Sequence, residues 1–320
     1  MPVKKLLTLV GLIALSIALF VAVFSVVHRP LVVGEIQKQL DYKQAYALTL
    51  TSPKIVIFAG SNGRYSHRCE VLTQALDMPC VNASIGVGIG LDFLLAQWRP
   101  LLHAGDLVYL PLEYSQYRFS NAEMHGGLQN ALLVHSQRDH LWSLDAQRIA
   151  AAYGSFDLPF LVQGVVEMAL DRHGFKRRSS TDSLTPQGDE RGHAADVGAT
   201  YAAFLRDSRA DSTAVPAQSD AIDVLTDFLR QMHDAGVTVV GGLPTVPDSV
   251  DVKAGDIDRL RRLYEDAGQH FIVLPNRSRY PLGCFFDTLY HLNEGCQQAH
   301  SALVASALSR FLPAGPVDAR

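Results

Sequence analysis

The stretch Ile55–Glu70, "IVIFAGSNGRYSHRCE", decides the fold. It begins as an apolar run of β-forming residues, breaks at Ala59-Gly60-Ser61-Asn62-Gly63, and continues with residues a helix accepts. A strand that passes into a helix through a glycine-bearing turn is the building unit of parallel α/β sheets. Ser61 falls at the handover. A serine there can cap the helix by accepting a bond from an orphan backbone N–H. It can equally be a nucleophile, because a tight turn exposes the hydroxyl and helix N-terminal amides stabilise a nearby oxyanion. On this stretch alone both readings stay open.

Working outward, short β-rich runs recur at Lys54–Gly60, Cys80–Ile85, Asp106–Leu112, Val237–Leu243 and His270–Asn276. Their apolar cores are nearly continuous rather than alternating, as in parallel strands buried on both faces. Helical patterns lie between them. Ile222, Leu225, Phe228, Leu229 and Met232 form one stripe, with Ser219 placed to cap and Gly236 to stop it. Ile257, Leu260, Leu263, Tyr264 and Ala267 form another, and a last helix starts from Asn293. The expected fold is α/β: a three-layer α/β/α sandwich around a mostly parallel five-stranded sheet. Between Leu112 and Ser219 the alternation lapses into a helical insertion, placed at about 115–218, with helical patterns that include "LPFLVQGVVEMAL". Its polar second part, about 176–216, is expected to be a mobile loop.

The N-terminus carries a separate signal. Lys4 and Lys5 precede an uncharged run from Leu6 to Val27, and His28-Arg29-Pro30 follow. Such a run reaches roughly 33 Å as a helix, enough to cross a bilayer. The chain therefore divides into a membrane anchor at 1–30, a juxtamembrane segment at 31–53 and the α/β domain at 54–320, with a cleaved signal peptide as the rival reading of the first segment. Paired lysines stay cytoplasmic. The expected location is the bacterial inner membrane, single-pass, with the domain facing the periplasm.

Without Lys4, Lys5 and Arg29 the formal charge of −4 becomes about −7. An acidic domain lacking basic clusters speaks against nucleic acid as a partner. Cys69, Cys80, Cys284 and Cys296 suit an oxidising compartment. Cys284 and Cys296 bracket Asp287 and His291, so a bridge between them is expected, while Cys69 and Cys80 either pair or stay as buried thiols. C-x-x-C and H-x-x-x-H spacings are missing, and neither a metal nor another cofactor is expected.

In an open parallel sheet, ligands bind beyond the carboxyl ends of the strands. That rule gathers Ser61, the Ser84–Gly88 loop, Glu113, Leu243-Pro244-Thr245, and Asp287 with His291. A serine, a histidine and an aspartate thus converge on one rim. With "FAGSN", "VNASIGVG", "GDLVYLPLEY" and "FDTLYHLNEG" in this order, the chain resembles the SGNH, or GDSL-like, hydrolase superfamily with its flavodoxin-like sheet. It is most similar to the membrane-anchored branch that handles acyl groups on exopolysaccharides and teichoic acids. The resemblance covers about Lys54–Leu112 and Ser219–Leu312, and not the insertion.

It implies Ser61 as nucleophile, His291 as general base, Asp287 as the acid that orients the imidazole, and the N–H groups of Ser61 and Gly86 as oxyanion donors. Three positions depart from the family pattern. Asp287 and His291 are spaced D-x-x-x-H where D-x-x-H is usual. Gly60 precedes Ser61 where the family has Asp. Glu113 follows the third strand where an asparagine would donate to the oxyanion, and an ionised Glu cannot donate. Asn62 or a backbone N–H is the substitute donor. Asn82 either tethers its loop or contacts substrate, and Glu113, Tyr114 and Tyr117 either line a sugar-binding rim or pack beneath the insertion.

The resemblance implies a serine-dependent O-acyl transferase or esterase acting outside the cytoplasm on an envelope or secreted polysaccharide, such as acylated cellulose or an alginate-like polymer. Its partners would be the polysaccharide acceptor, a membrane-bound acyl-donor protein and the inner membrane. The alternative is a catalytically silent polysaccharide-binding or scaffold subunit of an exopolysaccharide synthesis complex.

Overall fold

The computed structural model describes residues 3–27, 31–154, 158–172 and 180–312. Helix α1 (Val3–Val27) contains a stretch, Val3–Val23, long and apolar enough to cross a membrane. Helix α2 (Leu31–Ala47) follows. The alternation read from the sequence then begins: β1 (Ile55–Ile57), α3 (Ser61–Ser66), α4 (Cys69–Leu76), β2 (Cys80–Asn82), α5 (Leu91–Trp98), β3 (Leu107–Leu110) and a short α6 (Asn121–Met124). Next come four helices, α7 (Gly127–His135), α8 (Arg138–Ser143), α9 (Ala146–Gly154) and α10 (Leu158–Arg172). After the short α11 (Ala195–Gly198) and α12 (Ala202–Asp207), α/β alternation resumes with α13 (Asp220–Asp234), β4 (Thr238–Gly241), β5 (Val246–Pro247), α14 (Ala254–Glu265), β6 (His270–Phe271), β7 (Arg279–Tyr280) and α15 (Glu294–Leu308).

The chain forms two compact units, one of Met1–Lys38 with His125–Ser179 and one of Gln39–Met124 with Ser180–Arg320. The expected insertion is therefore divided: residues 125–179 group with the N-terminal helix, and the remainder groups with the α/β body.

In the α/β unit, five strands pair in the order β2-β1-β3-β4-β6, all parallel. Alternate side chains of a strand point to opposite faces. Ile55, Ile57, Leu107, Tyr109 and Val240 face a core completed by Leu72 of α4 and Val304 and Leu308 of α15. Phe58 points the other way and meets Trp98 of α5 and Phe228 of α13 edge-on, at 5.8 and 6.4 Å between ring centres. Helices thus cover both faces. Continuous burial along β1 and β3 follows, which is why those segments read as unbroken apolar runs. Val246–Pro247 and Arg279–Tyr280 pair as a separate two-stranded ribbon.

The expected loop over 176–216 differs in its described part. Residues 180–193 fold onto the end of β2, and α11 and α12 follow. Asp189 is fully buried, and its carboxylate accepts bonds from the Cys69 N–H at 2.9 Å and from Asn82 Nδ2 at 2.9 Å. Lys43 of α2 is also fully buried, and its Nζ donates to the carbonyls of Asn82, Ser84 and Gly188 at 2.9, 2.8 and 2.6 Å. Gly188 makes this possible: it has φ +96°, and a Cβ there would sit 2.7 Å from the Asn82 carbonyl oxygen. Polarity in this segment marks internal hydrogen bonding, so low apolar content misleads as a sign of a free loop.

Two disulfides close, Cys69–Cys80 and Cys284–Cys296. Beneath α15 lies a neutral polar chain. His67 Nδ1 bonds the Gly63 carbonyl at 3.1 Å, His67 Nε2 meets His300 Nε2 at 3.3 Å, and His300 Nδ1 meets the Tyr280 hydroxyl at 2.8 Å. A carbonyl only accepts, so the His67 proton sits on Nδ1, His300 donates from Nε2, and Tyr280 donates to His300 Nδ1. Burial drives His67 down to about 4 and His300 well below its ordinary value. Both rings are neutral when folded, yet titrate near 6.5 when unfolded. Stability is therefore full above about pH 6.5 and falls as pH drops from there through the folded values, by about 1.4 kcal/mol per histidine per pH unit. Denaturant midpoints measured from pH 8 to pH 4 should show this decline, and a His67→Gln/His300→Gln double variant should flatten it. An equally steep decline in the double variant would refute the assignment.

Candidate active site

Ser61 is the first residue of α3, and Gly60 occupies the cap position in extended conformation with no side-chain cap bond. The serine does not cap its helix. Glu113, arriving from the end of β3, does: its Oε1 accepts the Asn62 N–H at 3.2 Å and lies 3.5 Å from Ser61 Oγ. Gln116 completes the support, its Oε1 accepting the N–H groups of Gly60 at 3.1 Å and Glu113 at 3.0 Å. Gly60 is needed here because a Cβ would stand 2.5 Å from Glu113 Oε1 and 2.5 Å from Val87 Cγ1. The same crowding shows that the loop after β2 lies directly against the Ser61 turn.

Asp287 and His291 sit on a loop that closes on itself. Phe285 and Leu292 form an antiparallel bridge, the Phe286 N–H donates to the His291 carbonyl at 2.8 Å, and the Asn293 N–H donates to the Cys284 carbonyl at 2.7 Å. The Cys284–Cys296 bridge staples its base. The extra residue between acid and histidine is absorbed in this closure, and His291 Nδ1 meets Asp287 Oδ1 at 2.6 Å. A carboxylate can only accept, so the imidazole proton lies on Nδ1 and Nε2 keeps its lone pair.

Two contacts bring this loop to the serine helix. The His291 ring stacks on Tyr65 with centres 4.0 Å apart and planes 9° from parallel. Ser66 Oγ bonds both Thr245 Oγ1 at 2.8 Å and the Tyr290 carbonyl at 3.1 Å. Tyr65 lies one turn beyond Ser61 on the same helix face, a spacing of about 5–6 Å between Cβ atoms. His291 thus packs against the residue one turn beyond Ser61, and among the described residues no hydrogen bond joins the histidine to the serine. Changing the serine χ1 between staggered wells moves Oγ off Glu113, and catalytic bonds commonly tighten only when substrate is present.

The remaining candidates are distributed as follows. Gly86 is extended, and among the described residues neither its N–H nor that of Ser61 donates to a protein acceptor. Asn62 is buried and its Nδ2 donates to the Pro111 carbonyl at 2.8 Å, which commits the amide elsewhere than the oxyanion position. Asn82 Nδ2 bonds Asp189 and the Gly63 carbonyl at 3.0 Å, and its Oδ1 accepts the Ser84 N–H at 3.1 Å, so it ties the loop to α3. Glu113 is pushed up to about 7, chiefly by burial, with the Asn62 N–H and Ser61 hydroxyl opposing and Asp211 adding to the rise. Tyr114 and Tyr117 are fully buried, Tyr117 meeting the Tyr264 hydroxyl at 3.3 Å, and neither forms a rim. A cavity of about 540 Å³ borders the histidine loop at Leu289, with Asp211, Thr213 and Lys253 among its lining.

Sequence reasoning missed Tyr65, Gln116, Lys43 and Asp189. The Glu113-x-x-Gln116 spacing of a capping box was available as a signal; the buried lysine and aspartate had none.

No protein-family model matches the chain, and no curated protein matches it. Among solved structures, it is similar to protein YxiM from Bacillus subtilis at 13% identity with a TM-score of 0.40, over 83% of this chain and 58% of that one. The chain thus spans under two thirds of that protein's length, and a likeness this weak leaves function to be argued from the site itself.

Replacing both Cys284 and Cys296 by Ser releases a 12-residue loop. The expected cost is about 2–4 kcal/mol, read by denaturant unfolding. An unchanged midpoint would show that the loop's hydrogen bonds suffice without the bridge.

Proposed function

We propose that the protein is a serine-dependent O-acyl transferase or esterase acting outside the cytoplasm on an envelope or secreted polysaccharide. The observation that supports this reading is the His291–Asp287 pair, its imidazole stacked on Tyr65 one helical turn beyond Ser61, together with the N–H groups of Ser61 and Gly86, which bond no protein acceptor among the described residues. His291 Nε2 takes the Ser61 hydroxyl proton as Oγ attacks the ester carbonyl. The oxyanion is held by the N–H groups of Ser61 and Gly86, donors of a kind worth about 2.7–4 kcal/mol each in the transition state. Collapse expels the first alcohol, which receives the proton from His291 and leaves an acyl-serine. A sugar hydroxyl or a water, deprotonated by the same imidazole, then attacks the acyl carbon and regenerates Ser61. The acceptor decides between transferase and esterase. An acylated cellulose or alginate-like polymer is the proposed substrate class, and a membrane-bound acyl-donor protein the proposed partner.

Glu113 supplies the third donor in this scheme. Below about pH 7 its carboxyl is protonated, and a neutral acid donates where an ionised one cannot. Asp211 is the charged group that faces it electrostatically, with Tyr290 alongside.

One observation favours the alternative, a silent polysaccharide-binding or scaffold subunit: Ser61 Oγ leans on Glu113 rather than on His291. The test is ester turnover, or acyl content of the exported polymer, at equal protein level. Ser61→Ala and His291→Ala should each lower it by at least 10³-fold on an intact fold, with little further loss when combined. Wild-type acyl content in the Ser61→Ala strain would leave the silent subunit as the better account.

Glu113→Gln gives an independent check. Wild-type turnover should fall as pH rises through about 7, where Glu113 ionises, and the glutamine variant should lose that alkaline limb. Superimposable profiles would remove Glu113 from the oxyanion site.

A further inference from the structure

Helix α10 is built inside out. Along it Val162, Val165, Val166 and Leu170 are 54, 49, 51 and 38% exposed, while Gly164 and Glu167 are buried. The exposed residues fall at i, i+3, i+4 and i+8, one continuous stripe. At the edge of the stripe the exposed Gln163 reaches with its Nε2 to Oε1 of the buried Glu167 at 2.9 Å. The rest of this unit has an apolar core, with Leu132, Leu133 and Val134 of α7 and Leu141 of α8 at most 2% exposed, and it also buries polar groups. Gln129 and Asn130 of α7 are 1% exposed, and both take bonds from the Arg148 guanidinium of α9. The α10 stripe is the exception, because a helix in water turns such a stripe toward a core. Helices in lipid turn their polar groups toward one another and their apolar groups outward.

We infer that the stripe Val162–Val165–Val166–Leu170 lies against the acyl chains of the same bilayer that α1 crosses. The occupant follows from continuity: α10 packs on α1 within one unit, and the described side chains of α1 are exposed except for the half-buried Phe20 and Val21. The two helices thus present a common apolar surface, of which α1 is already long enough to span. Helix α10, with 15 residues, reaches only about 22 Å. That falls short of a hydrocarbon core of about 30 Å, so α10 rests in the boundary of one leaflet without crossing it.

The chain's cysteines are all in disulfides among the described residues, so a single added cysteine can be labelled selectively. Three full-chain variants, Leu12→Cys in α1, Val166→Cys in the stripe and Asp145→Cys as an exposed control, would carry an environment-sensitive nitrobenzoxadiazole label in phosphatidylcholine vesicles. Brominated acyl chains should quench the Val166 label to at least half the extent of the Leu12 label, and aqueous iodide should quench only the Asp145 label. Iodide quenching at Val166, with Leu12 still quenched by bromolipid, would overturn the inference and leave the anchor standing. A Val166 label reached by neither quencher would also overturn it, pointing to a second copy of the chain as the cover. A Leu12 label outside the acyl chains would overturn the inference together with the anchor.

Discussion

The ammonium group of Lys43 sits where no water can reach it, and its three bonds to the carbonyls of Asn82, Ser84 and Gly188 organise everything near the end of β2. A parallel strand that ends under other chain segments leaves carbonyls without ladder partners, and each costs free energy if left unpaired. One cation with three donors satisfies three of them. Burial pulls Lys43 down to about 7, with Arg64 adding to this, while Asp189 and Glu190 pull it back up. The loop so held continues directly into Gly86. A long-range polar knot therefore fixes where the Gly86 N–H points, and the helix that follows α1 supplies its lysine.

The serine turn is organised by the same logic at smaller scale. Gly60 has no side chain with which to cap α3, so the cap comes from Glu113 across the sheet, and Gln116 holds both backbones. On the other side, Ser66 and Tyr65 join α3 to the loop of Asp287 and His291. Two strand ends and one disulfide-closed loop thereby meet around a helix of six residues.

The parallel sheet was legible because its strands are buried on both faces and so spell unbroken apolar runs. Ser61, Asp287 and His291 were legible because each lies next to a strand end or a helix start that those runs already locate. Lys43 and Asp189 were not. Their partners lie as far as 145 and 120 residues away in the chain, and neither periodicity nor composition carries information across such distances. Residues 180–193 of the polar segment were not legible for a related cause: composition counts polar groups but cannot tell whether they are solvated or bonded to one another. Helix α10 shows a third limit. Its stripe has the spacing of any amphipathic helix, and spacing does not say whether the apolar side faces a core or lipid.

Gly60 and Glu113 compete for a single volume. With a Cβ at residue 60 only 2.5 Å from Glu113 Oε1, the turn has room for one carboxylate, delivered either by the residue before the serine or by the strand beside it. An aspartate at 60 and a glutamate at 113 are mutually exclusive solutions to the same need for a carboxyl acceptor at this helix end. An Asp at position 60 of this chain would need a smaller residue in place of Glu113, so the two positions must change together. Either single change leaves the turn overfilled or uncapped.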